Sequence, residues 1–160
     1  MMRVFGSLLV LLSALGLGLR QAGKLKARAD ALLDLRKTIQ TFQIGISFEA
    51  LPLEELVRLG RDSRFCVLAA GSEHYPGNAR RALELAGETL LKDPDDRELY
   101  QSFIRDLGAS GVGEQLEHLA LYARLTEQNL AAARDAQEKK SRLCVCTGLF
   151  FGVLLCLILL

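Results

Sequence analysis

The residues best suited to catalysis or metal binding are few and scattered along this chain of 160 residues. Neither His74 nor His118 has a second ligand at metal-binding spacing, so we interpret both as solvated or packing side chains. Ser110 lies in GASGVG, which lacks the Lys-Ser/Thr of a phosphate loop and the Gly-x-Ser-x-Gly of a hydrolase nucleophile. We interpret that stretch as a turn between helices. The sequence therefore predicts no catalytic residue, no cofactor and no metal site.

The remaining polar cluster is an acidic run made of Asp93, Asp95 and Asp96. It lies where a helix is expected to begin, and negative charge at that end complements the helix dipole. We interpret these carboxylates as capping residues.

Composition argues against two further classes of protein. Twenty Lys and Arg residues are balanced by nineteen Asp and Glu, which gives no electrostatic basis for binding a nucleic acid. Only Cys66 lies in the central part of the chain, so a disulfide framework is excluded there. The other cysteines, Cys144, Cys146 and Cys156, are interpreted as packing residues of an apolar terminus, with acylation of the first two as the alternative.

Two apolar stretches lie at the ends of the chain. Residues 143–160 are eighteen uncharged residues, which as a helix would be roughly 27 Å long, close to the hydrocarbon thickness of a bilayer. A second block covers residues 4–19. We therefore predict transmembrane helices over 1–22 and 143–160, and a helical bundle over 23–142. The first block also resembles the apolar region of a cleavable signal peptide, which is the alternative.

The distribution of basic residues favours retention of the first block. They cluster on the inner sides of the two apolar stretches, at Arg20, Lys24, Lys26, Arg28, Lys139, Lys140 and Arg142. Because basic residues remain on the cytoplasmic side of membrane spans, both termini are predicted to point outward and the central domain to be cytoplasmic. On this topology Cys66 should be shielded from thiol reagents in intact cells and react after permeabilisation.

Small residues recur in both predicted spans at the four-residue spacing that lets membrane helices approach closely. Gly148 and Gly152 have this spacing in the last span, and Ala14 and Gly18 have it in the first. We expect the two pairs to pack against each other in the cytoplasmic half of the bilayer. Chance occurrence is the alternative, because glycine is common in membrane helices.

Apolar periodicity predicts an all-α domain between the spans. In its first helix, which continues from the span to about Phe48, the apolar residues are Leu25, Leu32, Leu35, Ile39, Phe42 and Ile46. Shorter helices are predicted between Pro52 and Gly60, around Phe65–Ala70, over Ala79–Leu91 behind an Asn78 N-cap, and from Asp93 to Gly108 with Leu99, Phe103 and Leu107 buried. The longest helix starts at Glu114 and continues into the final span.

These landmarks together resemble the stage III sporulation protein AB family. The resemblance covers the long first helix, the turn and helix LPLEELV, the turn DLGASGVGEQLEHL, and the passage through KKSRL into GLFFGVLLCLILL. It implies a non-enzymatic membrane component of the channel between mother cell and forespore, located in the mother-cell membrane around the forespore. The implied domain is similar to F-type platform proteins of type II secretion and type IV pilus machines. Implied partners are the soluble sporulation protein AA ATPase, other channel membrane proteins and the lipid bilayer.

Two turns are the candidate contact surface for such an ATPase, because each adjoins a long helix that enters the membrane. The candidate residues are Leu51, Pro52, Leu53, Ala109, Ser110, Glu114 and Gln115. For Leu53 and Leu107 the alternative is that they close the bundle. Two other functions remain open: a membrane-anchored helical scaffold that self-associates without a secretion motor, and a membrane-tethered enzyme, which no nucleophile or acid/base pair supports.

Overall fold

The computed structural model describes the backbone of residues 2–109 and 111–159, and the side chains of residues 23–109, 111–140 and 143. The described residues form helices and no strand, which confirms the predicted all-α fold. The helices are α1 (Met2–Glu49), α2 (Leu53–Leu59), α3 (Arg64–Ala70), α4 (Ala79–Leu90), α5 (Pro94–Asp106) and α6 (Val112–Leu159).

The chain divides into two units. One is Arg28–Ala131, and the other comprises Met1–Ala27 and Ala132–Leu160. Among the residues with described side chains, no helix combines the length and low charge needed to cross a bilayer. The predicted packing residues Ala14, Gly18, Gly148 and Gly152 lie outside those residues.

The core of the Arg28–Ala131 unit is built on the predicted apolar face of α1. Of the six predicted residues only Leu25 is half-exposed, and the other five are buried. Leu35, Ile39, Phe42 and Ile46 pack with apolar residues of the shorter helices and of α6 in one cluster. That cluster also includes Leu56, Phe65, Leu83, Tyr100, Phe103, Ile104 and Leu119. The period of α1 was therefore a correct guide to its buried face.

The buried face of α5 differs from the prediction. Phe103 and Leu107 are buried as expected, but Leu99 is only half-buried, and Tyr100 and Ile104 complete the face. Tyr100 is fully buried because its hydroxyl donates a hydrogen bond of 2.9 Å to the Leu83 carbonyl, which satisfies its one polar group. The prediction placed Leu99 on the buried face and did not include Tyr100, whose hydroxyl finds its acceptor only in the folded chain.

Two of the predicted helix caps are present. The Asn78 side chain accepts a hydrogen bond of 3.0 Å from the Arg81 N–H at the start of α4. The Asp93 side chain accepts one of 3.2 Å from the Asp95 N–H at the start of α5. Both oxygens satisfy backbone donors that have no partner within the helix.

Asp96 has a different role from the one predicted. It is fully buried, and its carboxylate accepts hydrogen bonds from Arg28 Nε at 2.6 Å and Arg28 Nη2 at 3.0 Å. Asn129 Nδ2 donates to the same carboxylate at 2.9 Å. Asp96 therefore joins α1, α5 and α6 in the interior, and the capping interpretation is wrong for this residue.

Candidate functional site

The two turns predicted as contact surface converge on one groove of about 220 Å³ in the Arg28–Ala131 unit. Its lining consists of Ile46, Ala50, Leu51, Pro52, Leu53, Leu56, Leu107, Gly108, Val112 and Gln115. We call this the turn groove. Four predicted contact residues therefore line it, at Leu51, Pro52, Leu53 and Gln115.

The other predicted contact residues have different positions. Ala109 and Glu114 are exposed, next to lining residues but not among them. Ser110 lies outside the described residues.

The first turn of the groove is formed by the end of α1. Ala50 has a φ of 46°, and its N–H donates to the Ile46 carbonyl at 3.1 Å. This is the left-handed cap that terminates many helices, here with alanine where glycine is usual. Pro52 is the N-cap residue of α2, and its carbonyl accepts from the N–H groups of Glu55 and Leu56, both at 3.0 Å. A cap and a proline therefore fix the direction of the chain between α1 and α2.

The second turn connects α5 to α6. Leu107 has φ −69° and ψ 123°, Gly108 has a φ of 77°, and the Ala109 N–H donates to the Asp106 carbonyl at 3.3 Å. These values describe a type II turn, whose third position requires the positive φ that glycine adopts without strain. The glycine-rich stretch is thus a helix-to-helix turn, as predicted.

Arg80 of α4 caps the carbonyl groups of the second turn. Its guanidinium donates to the Arg105 carbonyl at 3.0 Å and to the Leu107 carbonyl at 2.8 Å. Carbonyls at the end of a helix lack partners within the helix, so an arginine from a neighbouring helix can cap them. Nothing in the sequence around Arg80 indicated this role, because donor and acceptors are more than twenty residues apart.

A hydrogen bond from a side chain of α6 also holds the end of α5. Tyr122 Oη donates to the Asp106 carboxylate at 2.5 Å. Burial, and then the hydrogen bond to Asp106, raise the pKa of Tyr122 to about 12. The phenol therefore remains protonated and a donor at neutral pH, so α5 and α6 stay joined next to the turn groove.

The floor of the turn groove is apolar and its edge is open. Ile46, Leu56 and Leu107 are no more than 5% exposed, whereas Val112 is 43% exposed. Leu107 therefore closes the bundle, as its alternative interpretation stated, and Leu53 remains half-buried on the groove wall. Gln115 supplies the only polar side chain among the described lining residues. Such a surface is suited to apolar contact and offers no nucleophile or titratable group.

The two histidines do not assemble a site with other ligands. His74 is exposed, and His118 packs beside Asp106 and Tyr122 at a cavity of about 10 Å³, room for roughly one water. The buried Nδ1 atom of His118 has no hydrogen-bond partner. Within the described part of the chain, no three His, Cys, Asp or Glu side chains are grouped to hold a metal ion.

Comparison with known proteins assigns the chain to a family. The stage III sporulation protein AB profile matches residues 3–67 and 68–160. No curated protein and no solved structure gave a significant match. With a match that extends over nearly the whole sequence, the chain belongs to the stage III sporulation protein AB family.

Proposed function

We propose that this protein is a membrane platform that docks a cytoplasmic secretion ATPase of the sporulation protein AA type at the turn groove. Family membership makes it a sporulation-related protein, and the family is not known as an enzyme family. The proposed location is the mother-cell membrane around the forespore, in a secretion-like channel with other membrane proteins. The central domain lies in the cytoplasm in this proposal.

The observation that carries the proposal is the convergence of two distant turns on one open apolar groove. Both turns adjoin a long helix, because α1 ends at Glu49 and α6 begins at Val112. The same two helices contain residues 4–19 and 143–159, and we propose the apolar stretches 4–19 and 143–160 as the membrane spans. A protein bound in the turn groove would therefore contact the two helices that we propose enter the bilayer.

The docking proposal predicts that charge changes beside the groove weaken ATPase binding without unfolding the domain. The full-length variant Glu114→Lys/Gln115→Lys should retain about ten-fold less ATPase than the parent, a loss of about 1.4 kcal/mol. Glu114 is exposed and Gln115 is half-exposed, so circular dichroism and melting temperature should change little. Pull-down with the purified ATPase is the measurement, with Glu88→Lys on the exposed side of α4 as the matched control. A folded double variant that retains as much ATPase as the parent would refute docking at this turn.

The membrane topology requires a different reporter from Cys66. That thiol is 1% exposed, and burial raises its pKa to about 12, so it should resist thiol reagents even after permeabilisation. Cys66 is therefore a poor reporter of topology.

An introduced cysteine at the exposed position Glu73 tests the topology directly. With Cys144, Cys146 and Cys156 replaced by alanine, Glu73→Cys should be labelled by an impermeant maleimide at least ten-fold faster after permeabilisation than in intact cells. Rapid labelling in intact cells would contradict a cytoplasmic domain. The same background with Glu73 retained gives the signal of Cys66 alone.

A further inference from the structure

The chain next to the turn groove has an excess of acidic residues. Within two positions of a lining residue lie five glutamates and Asp106, against the two arginines Arg58 and Arg105, although the chain as a whole has twenty basic and nineteen acidic residues. Each glutamate lies within two positions of a lining residue, and each is exposed. They are Glu49, Glu54, Glu55, Glu114 and Glu117. We call them the acidic rim.

The glutamates of the acidic rim differ from those of the domain that have ion-pair partners. Two such partnered glutamates are Glu84, with Arg81 at 3.0 Å, and Glu127, with Arg36 at 3.4 Å. In the part of the chain with described side chains, no such ion pair involves a glutamate of the rim. Like charges held close to one another repel, and a cationic partner would relieve that repulsion.

The groove inside the rim has a size suited to large apolar side chains. A cavity of about 150 Å³ in another protein accommodates benzene. The turn groove, at about 220 Å³, therefore has room for at least one leucine- or phenylalanine-sized group. Burying such a group against Leu51 and Leu53 would supply the hydrophobic part of the binding free energy.

We propose that the occupant of the turn groove is a basic amphipathic segment of the partner, with apolar side chains at helical spacing and Lys or Arg on both sides of them. The apolar side chains enter the groove, and the cations face the acidic rim. An apolar groove receiving the apolar face of a helix is an established mode of recognition, and charge complementarity makes it selective. An acidic segment or an anionic lipid surface is disfavoured by repulsion. The inference rests on the proposed function, since it specifies which part of a docked protein the groove would bind.

The test uses the full-length protein in nanodiscs of zwitterionic lipid and a pair of synthetic peptides. One fluorescent 14-residue peptide carries leucines at helical spacing with lysines between them, and its counterpart has glutamates in place of the lysines. Binding is measured by fluorescence anisotropy, after subtraction of the signal from empty nanodiscs. We expect the lysine peptide to bind at least ten-fold more tightly than the glutamate peptide. Its affinity should fall as salt is raised, because exposed charges are screened.

Matched variants locate the binding. The triple variant Glu49→Gln/Glu55→Gln/Glu117→Gln should lose at least ten-fold in affinity for the lysine peptide. The control variant Glu73→Gln/Glu88→Gln/Glu98→Gln, which changes three exposed glutamates outside the acidic rim, should lose less than two-fold. A benzophenone side chain at the half-open position Val112 should crosslink to the lysine peptide and not to a second copy of the protein.

Three results would overturn the inference. They are equal affinity for the two peptides, equal losses in the two triple variants, and crosslinking at Val112 only between copies of this chain. The outcome is separable from that of ATPase docking. If the parent binds the lysine peptide but retains no ATPase, docking fails while the charge selectivity of the groove stands. If the rim variant retains the ATPase fully, docking stands and the rim proposal fails.

Discussion

Replacing Gly87 with alanine is expected to lower the free energy of unfolding by about 3 kcal/mol, at the upper end of the cost of overpacking a core. A Cβ at this position would lie within 2.3 Å of ring carbons of Tyr100. Tyr100 cannot easily move away, because its ring is fully buried, stacks on Phe65 at 5.0 Å and is held by its hydrogen bond to the Leu83 carbonyl. Gly87 is therefore what allows α4 and α5 to approach this closely.

Thermal unfolding followed by circular dichroism measures the effect, which should lower the melting temperature by roughly 10 °C for a domain of this size. Gly23→Ala is the matched control, since a Cβ there meets no described atom within 4 Å and alanine favours the helix by up to about 1 kcal/mol. In the Gly87→Ala background, Tyr100→Leu should recover part of the loss by removing the ring. A Gly87→Ala protein that melts with the parent would show that this contact is not tight in solution.

The contrast between Gly87 and the α1 face shows what the sequence could predict. The buried residues of α1 follow from a period of three and four, which depends only on neighbours in the chain. A glycine inside a helix, as Gly87 is in α4, is locally unfavourable, and nothing near it indicates Tyr100, thirteen residues later. Close packing depends on which residues face one another in space. Local periodicity does not contain that information.

The turn groove likewise has features that the sequence predicted and features that it did not. Pro52 and Gly108 marked their turns in the sequence, because each has a backbone preference that acts locally. That the two turns line one groove depends on the packing of α1, α5 and α6, which no local pattern encodes. The role of Arg80 was not predicted for a related reason. An arginine is expected at the surface unless its hydrogen-bond acceptors are known. The acidic rim became visible only once the two turns were seen to be neighbours.

Asp96 shows how a correct local rule can hide a larger role. An aspartate at the start of a helix is favoured by the helix dipole, and Asp93 at the N-cap and Asp95 in the first turn fit that description. Asp96 lies in the same turn but faces the interior, where Arg28 and Asn129 surround its carboxylate. Its partners come from both ends of the sequence of the Arg28–Ala131 unit. The periodicity of α5 predicted burial only for its apolar residues, so it gave no indication that Asp96 is buried.

Removal of Arg28 is expected to be at least as damaging as the Gly87 substitution, because it leaves a buried carboxylate without its cation. The Asp96 side chain is 1% exposed and the Arg28 side chain is 30% exposed, so the carboxylate bears the burial cost of the pair. Breaking a buried ion pair from one side costs about 3–5 kcal/mol. The hydrogen bond to Asp96 is the largest cause that raises the pKa of Arg28. The guanidinium of the parent protein is therefore charged at every pH near neutrality.

Arg28→Ala should accordingly lower the free energy of unfolding by about 3 kcal/mol or more in chemical denaturation. Arg36→Ala is the control on the same helix, since its pair with Glu127 is exposed and such pairs contribute no more than about 1 kcal/mol. Asp96→Asn keeps the shape of the side chain and removes its charge. The double variant Arg28→Ala/Asp96→Asn should therefore be more stable than Arg28→Ala alone, because no unpaired charge remains buried. If the double variant is instead less stable by the sum of the two single losses, the residues act independently and the pair does not join α1 to α5.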